Sequence, residues 1–389
     1  MKRYLIIHYS EIALKKGNTG YFLEKLKKHI KAQLQRNFLI GVNVKSYLGR
    51  IVIPLDDFNE AKYSEVLKKI PGIKNFHFVY EGSPEIEKVG MEILANMPNE
   101  LKEVNNFCVR VQRSQKAPYS SVEAEREIGG VLIGNGFNKK VKLENPELEI
   151  NIEVFDKHGY FSYKKYPGAG GLPANSGNKL VCLISGGIDS PVAAYRMMKR
   201  GARVIFVHFH AYPYTDKEEQ EHVVDLVKIL SVYQFHTKLY MVPFGDIQKK
   251  IATNVDVPAK YRVVLYRRMM IRIAEAISKK NLSRGLVTGD SFGQVASQTA
   301  ENMFTIHEAS KIPLYQPLVA YDKEEIITIS KEIGTYEISK LPCKDTCSMF
   351  SPQHPVLTAK VKDLQEMEKL LDINGFVRDA VKGMEVTIY

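Results

Sequence analysis

With 389 residues, 44% hydrophobic and 25% charged, the chain has the composition of a folded protein of two or three domains. No apolar run reaches the roughly 18 residues of a membrane span, the stretch after Met1-Lys2-Arg3 is too short for a secretory signal, and four cysteines are too few for a disulfide framework, so a cytoplasmic protein that does not enter membranes is expected. The formal charge of +11 suits a polyanionic partner; counting to Leu172 gives 27 Lys+Arg minus 20 Asp+Glu, or +7, and the remainder gives 28 minus 24, or +4, so both halves are basic.

From Arg3 to Glu81 the apolar period switches between about two and about 3.6, the sign of mixed strands and helices. Tyr4–Tyr9 reads as a strand, and Tyr21–Arg36 as a helix with Phe22, Leu23, Leu26, Ile30 and Leu34 on one face. Val42–Tyr47 and Arg50–Leu55 read as a hairpin about Leu48-Gly49. A helix over Glu60–Ile70 stops at Pro71-Gly72, and Asn75–Tyr80 returns as a strand. The order βαββαβ predicts a ferredoxin-like split βαβ. After Gly82-Ser83-Pro84 come a helix over Glu85–Met97, a strand over Phe107–Arg113, a helix over Ser121–Asn135, and strands at Val141–Leu143, Leu148–Phe155 and Tyr160–Tyr163. Pro167 to Pro173, rich in glycine, then predicts a break in regular structure and a domain boundary. From Lys179 onward strands alternate with helices, which predicts βαβ units and a parallel sheet.

The most informative segment begins there. Lys179 to Ile184 is a continuous apolar run suited to a buried parallel strand, and it leads into Ser185-Gly186-Gly187-Ile188-Asp189-Ser190, with a helix expected from Pro191 to Gly201. Successive backbone N–H groups in such a turn, with the positive end of the helix dipole, make an anion cradle. No lysine follows at the position a P-loop would use, so the arrangement suits pyrophosphate held as a leaving group. If the N–H groups do the cradling, Gly186 and Gly187 should tolerate side chains poorly.

This SGGIDS segment, between a strand and a helix, resembles the signature of the PP-loop ATP pyrophosphatase superfamily. Pro167 to Pro173, SGGIDSPVAAYRMMKRG, Val207-His208-Phe209-His210 and Thr288 to Thr299 together resemble the tRNA 4-thiouridine synthase (tRNA sulfurtransferase, ThiI) family over essentially the whole chain. The resemblance implies an α/β fold class, a parallel-sheet PP-loop nucleotide-binding domain preceded by α+β ferredoxin-like and THUMP domains. It places the ferredoxin-like domain at 1–81, the THUMP RNA-binding domain at 82–166, a linker at 167–178 and the PP-loop adenylating domain at 179–389.

By position the family's ATP contacts fall on Leu183, Ile184, Ser185, Gly186, Gly187, Asp189, Ser190, His208, Phe209, Arg267, Gly289 and Gln298. Those at strand ends lie where ligands sit in open parallel sheets. Arg110, Arg113, Lys116, Ser120, Lys164 and Lys165 are the corresponding RNA-binding candidates. The implied chemistry is attack of uridine O4, at uridine 8 of tRNA, on the α-phosphate of ATP, followed by displacement of AMP by persulfide sulfur. Asp189, as the one carboxylate in the motif, is the candidate to orient Mg2+ or the loop. Cys347 matches the family's functional cysteine as sulfur carrier, with Cys343 as its possible partner; a metal or iron–sulfur site or two inert thiols are the alternatives, and no other metal ligands are singled out. The resemblance further implies a cysteine desulfurase as persulfide donor, a homodimer and a link to thiamine thiazole synthesis. Some members carry a C-terminal rhodanese-like domain, and with Met384 to Tyr389 closing the sequence the form without that domain is expected. Two other readings compete: a PP-loop enzyme that amidates or ligates a small molecule, and a non-enzymatic tRNA-binding module. The long basic N-terminal region and the intact loop argue against them in turn.

Overall fold

The alternating apolar runs of the first half build one sheet. In the computed structural model, which describes residues 1–55, 59–113, 119–155, 158–342 and 350–389, the chain divides into two units, Met1–Leu172 and Pro173–Tyr389. The first contains strands β1 (Arg3–Tyr9), β2 (Lys45–Tyr47), β3 (Arg50–Leu55), β4 (Ile73–Gly82), β5 (Asn106–Arg113), β6 (Lys140–Val141), β7 (Leu148–Phe155), β8 (His158–Ser162) and β9 (Tyr166–Pro167). Eight of them lie in the order β2-β3-β1-β4-β8-β7-β5-β6, and β9 pairs with β4. The ferredoxin-like strands and those that follow Gly82 are thus hydrogen-bonded into a single nine-stranded sheet through the β4–β8 pair.

The strand period of two decides what each face carries. Leu5 and Ile7 on β1 are buried with Leu26, Ile30 and Leu34 of α1 (Thr19–Arg36) and Tyr63, Val66 and Leu67 of α2 (Glu60–Leu67). Each such fully buried aliphatic side chain stabilises the fold by roughly 1.5–3 kcal/mol. A second helical layer, α3 (Ile86–Ala95), the single turn α4 (Asn99–Lys102) and α5 (Ser121–Gly134), follows in sequence, and Val89, Ile93, Ile128 and Leu132 bury against Phe107, Ile150 and Ile152 of β5 and β7. Ile6, between Leu5 and Ile7, points to the opposite face and packs with Val79, Phe155 and Tyr160.

Several boundaries differ from the sequence pattern. The strand expected from Val42 starts only at Lys45, and the helix expected to Ile70 ends at Leu67. The glycine-rich segment is not wholly irregular: Phe76 pairs with Tyr166, and Gly170 N–H donates to the Ile73 carbonyl at 2.7 Å. At Gly168 a Cβ would lie 2.4 Å from that same carbonyl oxygen, so glycine lets this backbone approach β4.

The second unit holds β10 (Lys179–Leu183), β11 (Arg203–His210), β12 (Lys238–Pro243), β13 (Leu286–Val287), β14 (Leu314–Tyr315) and β15 (Glu385–Ile388) in the order β14-β13-β10-β11-β12-β15. All neighbours are parallel except β15, which runs antiparallel to β12. Helices α6 (Asp189–Lys199) and α7 (Glu218–Leu230) cover one face. On the other, α8 (Gly245–Thr253) and α9 (Arg262–Asn281) pack with residues near and within the later helices. The chain runs outward from β10 to β11 and β12, then returns to β13 on the opposite side of β10. That reversal opens a crevice beyond the carboxyl ends of β10 and β13, where open α/β sheets bind ligands. Among the described residues no helix is long and apolar enough to cross a membrane.

Candidate active site

At that crevice the chain leaves β10 through Ser185 to Ile188 and enters α6 at Asp189, two residues before the expected start at Pro191. Proline is accommodated in this first turn because the early helical N–H groups have no intrahelical acceptor. The turn is closed on itself: Ser185 N–H donates to Ser190 Oγ at 2.9 Å, the two hydroxyls are 3.2 Å apart, and Gly187 N–H reaches Ser185 Oγ at 3.4 Å. The loop is also pressed from β13. A Cβ on Gly289 would lie 2.7 Å from Ser190 N and 2.9 Å from the Asp189 carbonyl carbon, both backbone atoms, so only glycine fits. Gly187 is freer, since a Cβ there meets only Ser185 Oγ at 3.6 Å and its φ is not left-handed. The unliganded fold therefore does not demand glycine at 187; a ligand resting on its N–H would.

A cavity of about 460 Å³ opens over this loop. Its lining includes Leu183, Ile184, Ser185, Asp189, Ser190, His208, Phe209, Arg267, Gly289 and Gln298, drawn from four separate stretches of sequence. Gly186 and Gly187 lie in the loop without forming its wall.

His208, Asp290, Arg267 and Asp189 bring charge and polarity to the cavity. Burial pushes His208 down to about 4, so the ring is neutral; its Nδ1–H donates to the Ile184 carbonyl at 3.0 Å, which leaves Nε2, with no partner among the described residues, as a buried acceptor. Asp290 is buried beside Arg267, whose Nη2 donates to its Oδ1 at 2.5 Å, and it also accepts from Thr288 Oγ1 at 2.6 Å and from Gln298 and Gln316 at 3.2 Å. Burial alone would raise that carboxyl, but Arg267 and these hydrogen bonds together outweigh it and hold Asp290 below the usual carboxylate range. Arg267 is thereby held at the cavity wall, its side chain about a quarter exposed. Asp189, one-fifth exposed, accepts from Lys323 Nζ at 2.6 Å and Gln294 Nε2 at 2.9 Å.

Sequence reasoning did not single out Lys323, Gln294, Asp290 or the buried Glu219 of α7, which also lines the cavity. Asp290 and Gln294 fall within Thr288 to Thr299, whereas Lys323 comes from the start of α10 (Lys323–Glu332), and only the fold brings it to the loop. Cys343, Cys347 and Lys116 lie outside the described residues. Of the RNA-binding candidates, Arg110 Nη2 donates to the Leu143 carbonyl, Lys165 Nζ donates to Asn151 Oδ1 at 2.9 Å, and Lys164 Nζ sits 4.7 Å from the Tyr166 ring centre. Arg113 ends β5 half-buried. Ser120 is the N-cap of α5, its hydroxyl accepting from Glu123 N–H while Glu123 accepts from Ser120 N–H. That capping box is a structural role in its own right.

Three family descriptions match successive parts of the chain: the ThiI ferredoxin-like domain over residues 4–77, the THUMP domain over 84–163, and the thiamine biosynthesis protein ThiI over 175–373. The chain is 40% identical over 379 residues to a probable tRNA sulfurtransferase of Caldanaerobacter subterraneus subsp. tengcongensis, covering 97% of each chain. It is 38% identical to another from Alkaliphilus metalliredigens, over 99% of this chain and 98% of that one. Among solved structures, a 4-thiouridine synthetase in complex with RNA and with bound ATP superposes with a TM-score of 0.87 at 32% identity, over the full length of both chains.

Proposed function

The chain belongs to the ThiI family and is an ATP-dependent tRNA sulfurtransferase; we propose that its cavity over the Ser185–Ser190 loop is where ATP and a tRNA uridine react. The observation that carries this reading is the glycine turn and the start of α6, held by Gly289 at the point where the parallel sheet reverses direction. In this reading the backbone N–H groups of residues 185–190 hold the departing pyrophosphate, and the N-terminal end of α6 adds its positive dipole. Leu183, Ile184, Phe209 and Gly289 shape the base and ribose pocket. His208 Nε2, a neutral buried acceptor, offers a hydrogen bond to a donor such as an exocyclic amine. Arg267, braced by Asp290, meets negative charge that develops at the α-phosphate.

The oxygen donors beside the loop, Asp189 and the Ser185 and Ser190 hydroxyls, suit a hard divalent cation, and Mg2+ bound there would neutralise phosphate charge. Lys323 supplies a cation at the same carboxylate within the chain itself, and Gln294 fixes the carboxylate's second oxygen. Attack of uridine O4, at position 8 of the tRNA, converts a poor oxygen leaving group into AMP. Sulfur carried as a persulfide on Cys347, received from a cysteine desulfurase, then displaces AMP, and the Cys343 thiol attacks the resulting S–S link, which releases the thiolated uridine and leaves a Cys343–Cys347 disulfide for an external dithiol to reduce. Arg110, Arg113, Lys116, Lys164 and Lys165 of the basic N-terminal half grip tRNA phosphates, and a homodimer acting in the cytoplasm would share one tRNA between chains. The same persulfide would serve thiamine thiazole synthesis.

Pyrophosphate release from ATP, measured with and without tRNA, tests the site. The wild type should release it only with tRNA. Asp189→Ala should lose at least a hundredfold in rate with tRNA affinity nearly unchanged. An Asp189→Ala enzyme that adenylates normally in a single turnover would refute the assignment. Cys347→Ser should adenylate normally yet fail to thiolate, and thiolation by it at the wild-type rate with a desulfurase as donor would remove Cys347 from the route.

A further inference from the structure

We propose that His8, His77 and Glu153, on three strands of the N-terminal sheet, form a binding site for a divalent cation of the zinc class. Residues from β1, β4 and β7, far apart in sequence, converge here: His8 Nε2 is 2.6 Å and His77 Nε2 is 2.8 Å from the same oxygen, Glu153 Oε1. All three candidate ligand atoms lie within 4.8 Å of one another. The His77 side chain is wholly buried and that of Glu153 is 2% exposed, so neither is a chance surface neighbour. His8 is 17% exposed and gives the site a route to solvent.

The outer atom of two of the ligands is held from behind, the arrangement that orients metal-binding side chains. His77 Nδ1 lies 2.7 Å from Ser162 Oγ. Glu153 Oε2 accepts from Arg50 Nε, and the Arg50 guanidinium is itself seated 4.8 Å from the Phe155 ring centre. His77 Nε2 lies 2.8 Å from Glu153 Oε1, its one polar contact among the described residues. Two ring nitrogens that converge on one carboxylate oxygen can share an ion with it once the three ligand atoms spread around the ion.

The donor set selects the ion. Two imidazoles and one carboxylate suit zinc, cobalt(II) or nickel(II), whereas calcium and magnesium favour all-oxygen shells. Binding forms two M–N bonds and one M–O bond, with water as a fourth ligand on the His8 side. His8 moves its proton from Nε2 to Nδ1 through solvent exchange, so that a neutral ring presents the Nε2 lone pair to the ion. His77 uses the tautomer that carries its proton on Nδ1 and donates it to Ser162. Ligand atoms of a tetrahedral zinc ion stand roughly 3.3 Å apart for bonds of about 2.0–2.1 Å, so the contacts of 2.6 and 2.8 Å must open by roughly 0.7 and 0.5 Å, which side-chain rotations supply. The positive charges of Arg50 and Lys165 nearby make the site weaker than a thiolate-rich zinc site.

Titration of the full chain, stripped with chelator, with Co2+ and then Zn2+ tests the proposal. One equivalent of Co2+ should give visible ligand-field bands without a near-ultraviolet thiolate band, and Zn2+ should displace it. His8→Ala and Glu153→Gln should each weaken binding at least tenfold, and Ser162→Ala about tenfold, with circular dichroism showing each folded. Zn2+ should raise the melting temperature of the wild type and not that of His8→Ala. No visible bands at one equivalent, a thiolate band alone, or binding unchanged in His8→Ala and Glu153→Gln would each overturn it.

Discussion

The two sheets place their polar side chains by different rules. In the parallel sheet of the second unit the buried strands are apolar almost throughout, and polar groups gather where β10, β11 and β13 end: Ser185, His208, Thr288 and Asp290 follow or close those strands. In the mixed sheet of the first unit the densest polar cluster lies on a sheet face, where His8, Arg50, His77 and Glu153 meet from four strands. Parallel strands end together and hand their loops to one edge. Antiparallel strands alternate faces residue by residue, so side chains from distant segments meet on a surface that no loop marks.

The comparison breaks first at Gly289. If the edge of the parallel sheet is a close-fitted machine, Gly289→Ala must push a methyl group into Ser190 N and the Asp189 backbone, whereas Gly187→Ala meets only one hydroxyl. Displacing reacting groups by about 1 Å costs on the order of a hundredfold, so Gly289→Ala should thiolate at least a hundredfold more slowly while still retaining tRNA on a filter. Gly187→Ala should melt at the wild-type temperature. Equal turnover by Gly289→Ala and wild type would show that the loop does not need this support.

The same contrast explains what was legible. SGGIDS, its strand and its helix are contiguous, so the loop and its neighbours could be named from the sequence, and the strand ends at His208 and Gly289 followed by position. Lys323 could not, because it reaches Asp189 across 134 residues and no local pattern marks it. Glu153 was equally hidden. Within Leu148–Phe155 it reads as the polar member of an alternating strand, yet its side chain is 2% exposed, met by His8, Arg50 and His77 from three other strands. The strand expected over Val42–Tyr47 is longer than the one formed, because apolar alternation begins before Lys45, the first residue that finds a pairing partner.

Glu153 offers the next test. Burial would raise its carboxyl, but contacts with His77 and His8 outweigh that and hold it well below the usual range. Its folded affinity for a proton is thus depressed, so the stabilisation is present above the unfolded value near 4.3 and is lost as pH falls below it. In metal-free protein Glu153→Gln should cost about 2 kcal/mol at neutral pH, since charged hydrogen bonds contribute roughly 1.5–3 kcal/mol. The deficit should shrink as pH drops below about 4. A variant as stable as the wild type at pH 7 would mean that the cluster contributes nothing to folding.

His208 tests the other sheet with the opposite group. Its neutral form is favoured in the fold, so the unfolded chain binds the extra proton and stability falls as pH drops from about 6.5 towards 4. At pH 5.5 one unit below the unfolded value costs about 1.4 kcal/mol. Half-buried His210 is lowered too, by desolvation, and adds the same sign. His208→Asn retains an amide donor for the Ile184 carbonyl but does not titrate, so its melting temperature should change less between pH 7.5 and 5.5 than that of the wild type. Identical pH slopes in the two proteins would show that His208 is not the buried titrating group.

The smallest effect separates structure from RNA recognition within the first unit. Ser120 was picked as an RNA contact, yet its hydroxyl caps α5 through Glu123 N–H at 3.1 Å. Ser120→Ala should cost roughly 1 kcal/mol of stability through the lost cap. Aspartate caps helices as well as serine does, so Ser120→Asp should restore most of that stability. It also places a negative charge where a phosphate would lie if the RNA reading holds. An RNA contact therefore predicts that Ser120→Asp is stable but binds tRNA several-fold more weakly at low salt, with the difference fading as salt screens the charge. If Ser120→Asp and wild type bind tRNA equally at every ionic strength while Ser120→Ala melts lower, the residue serves only the helix.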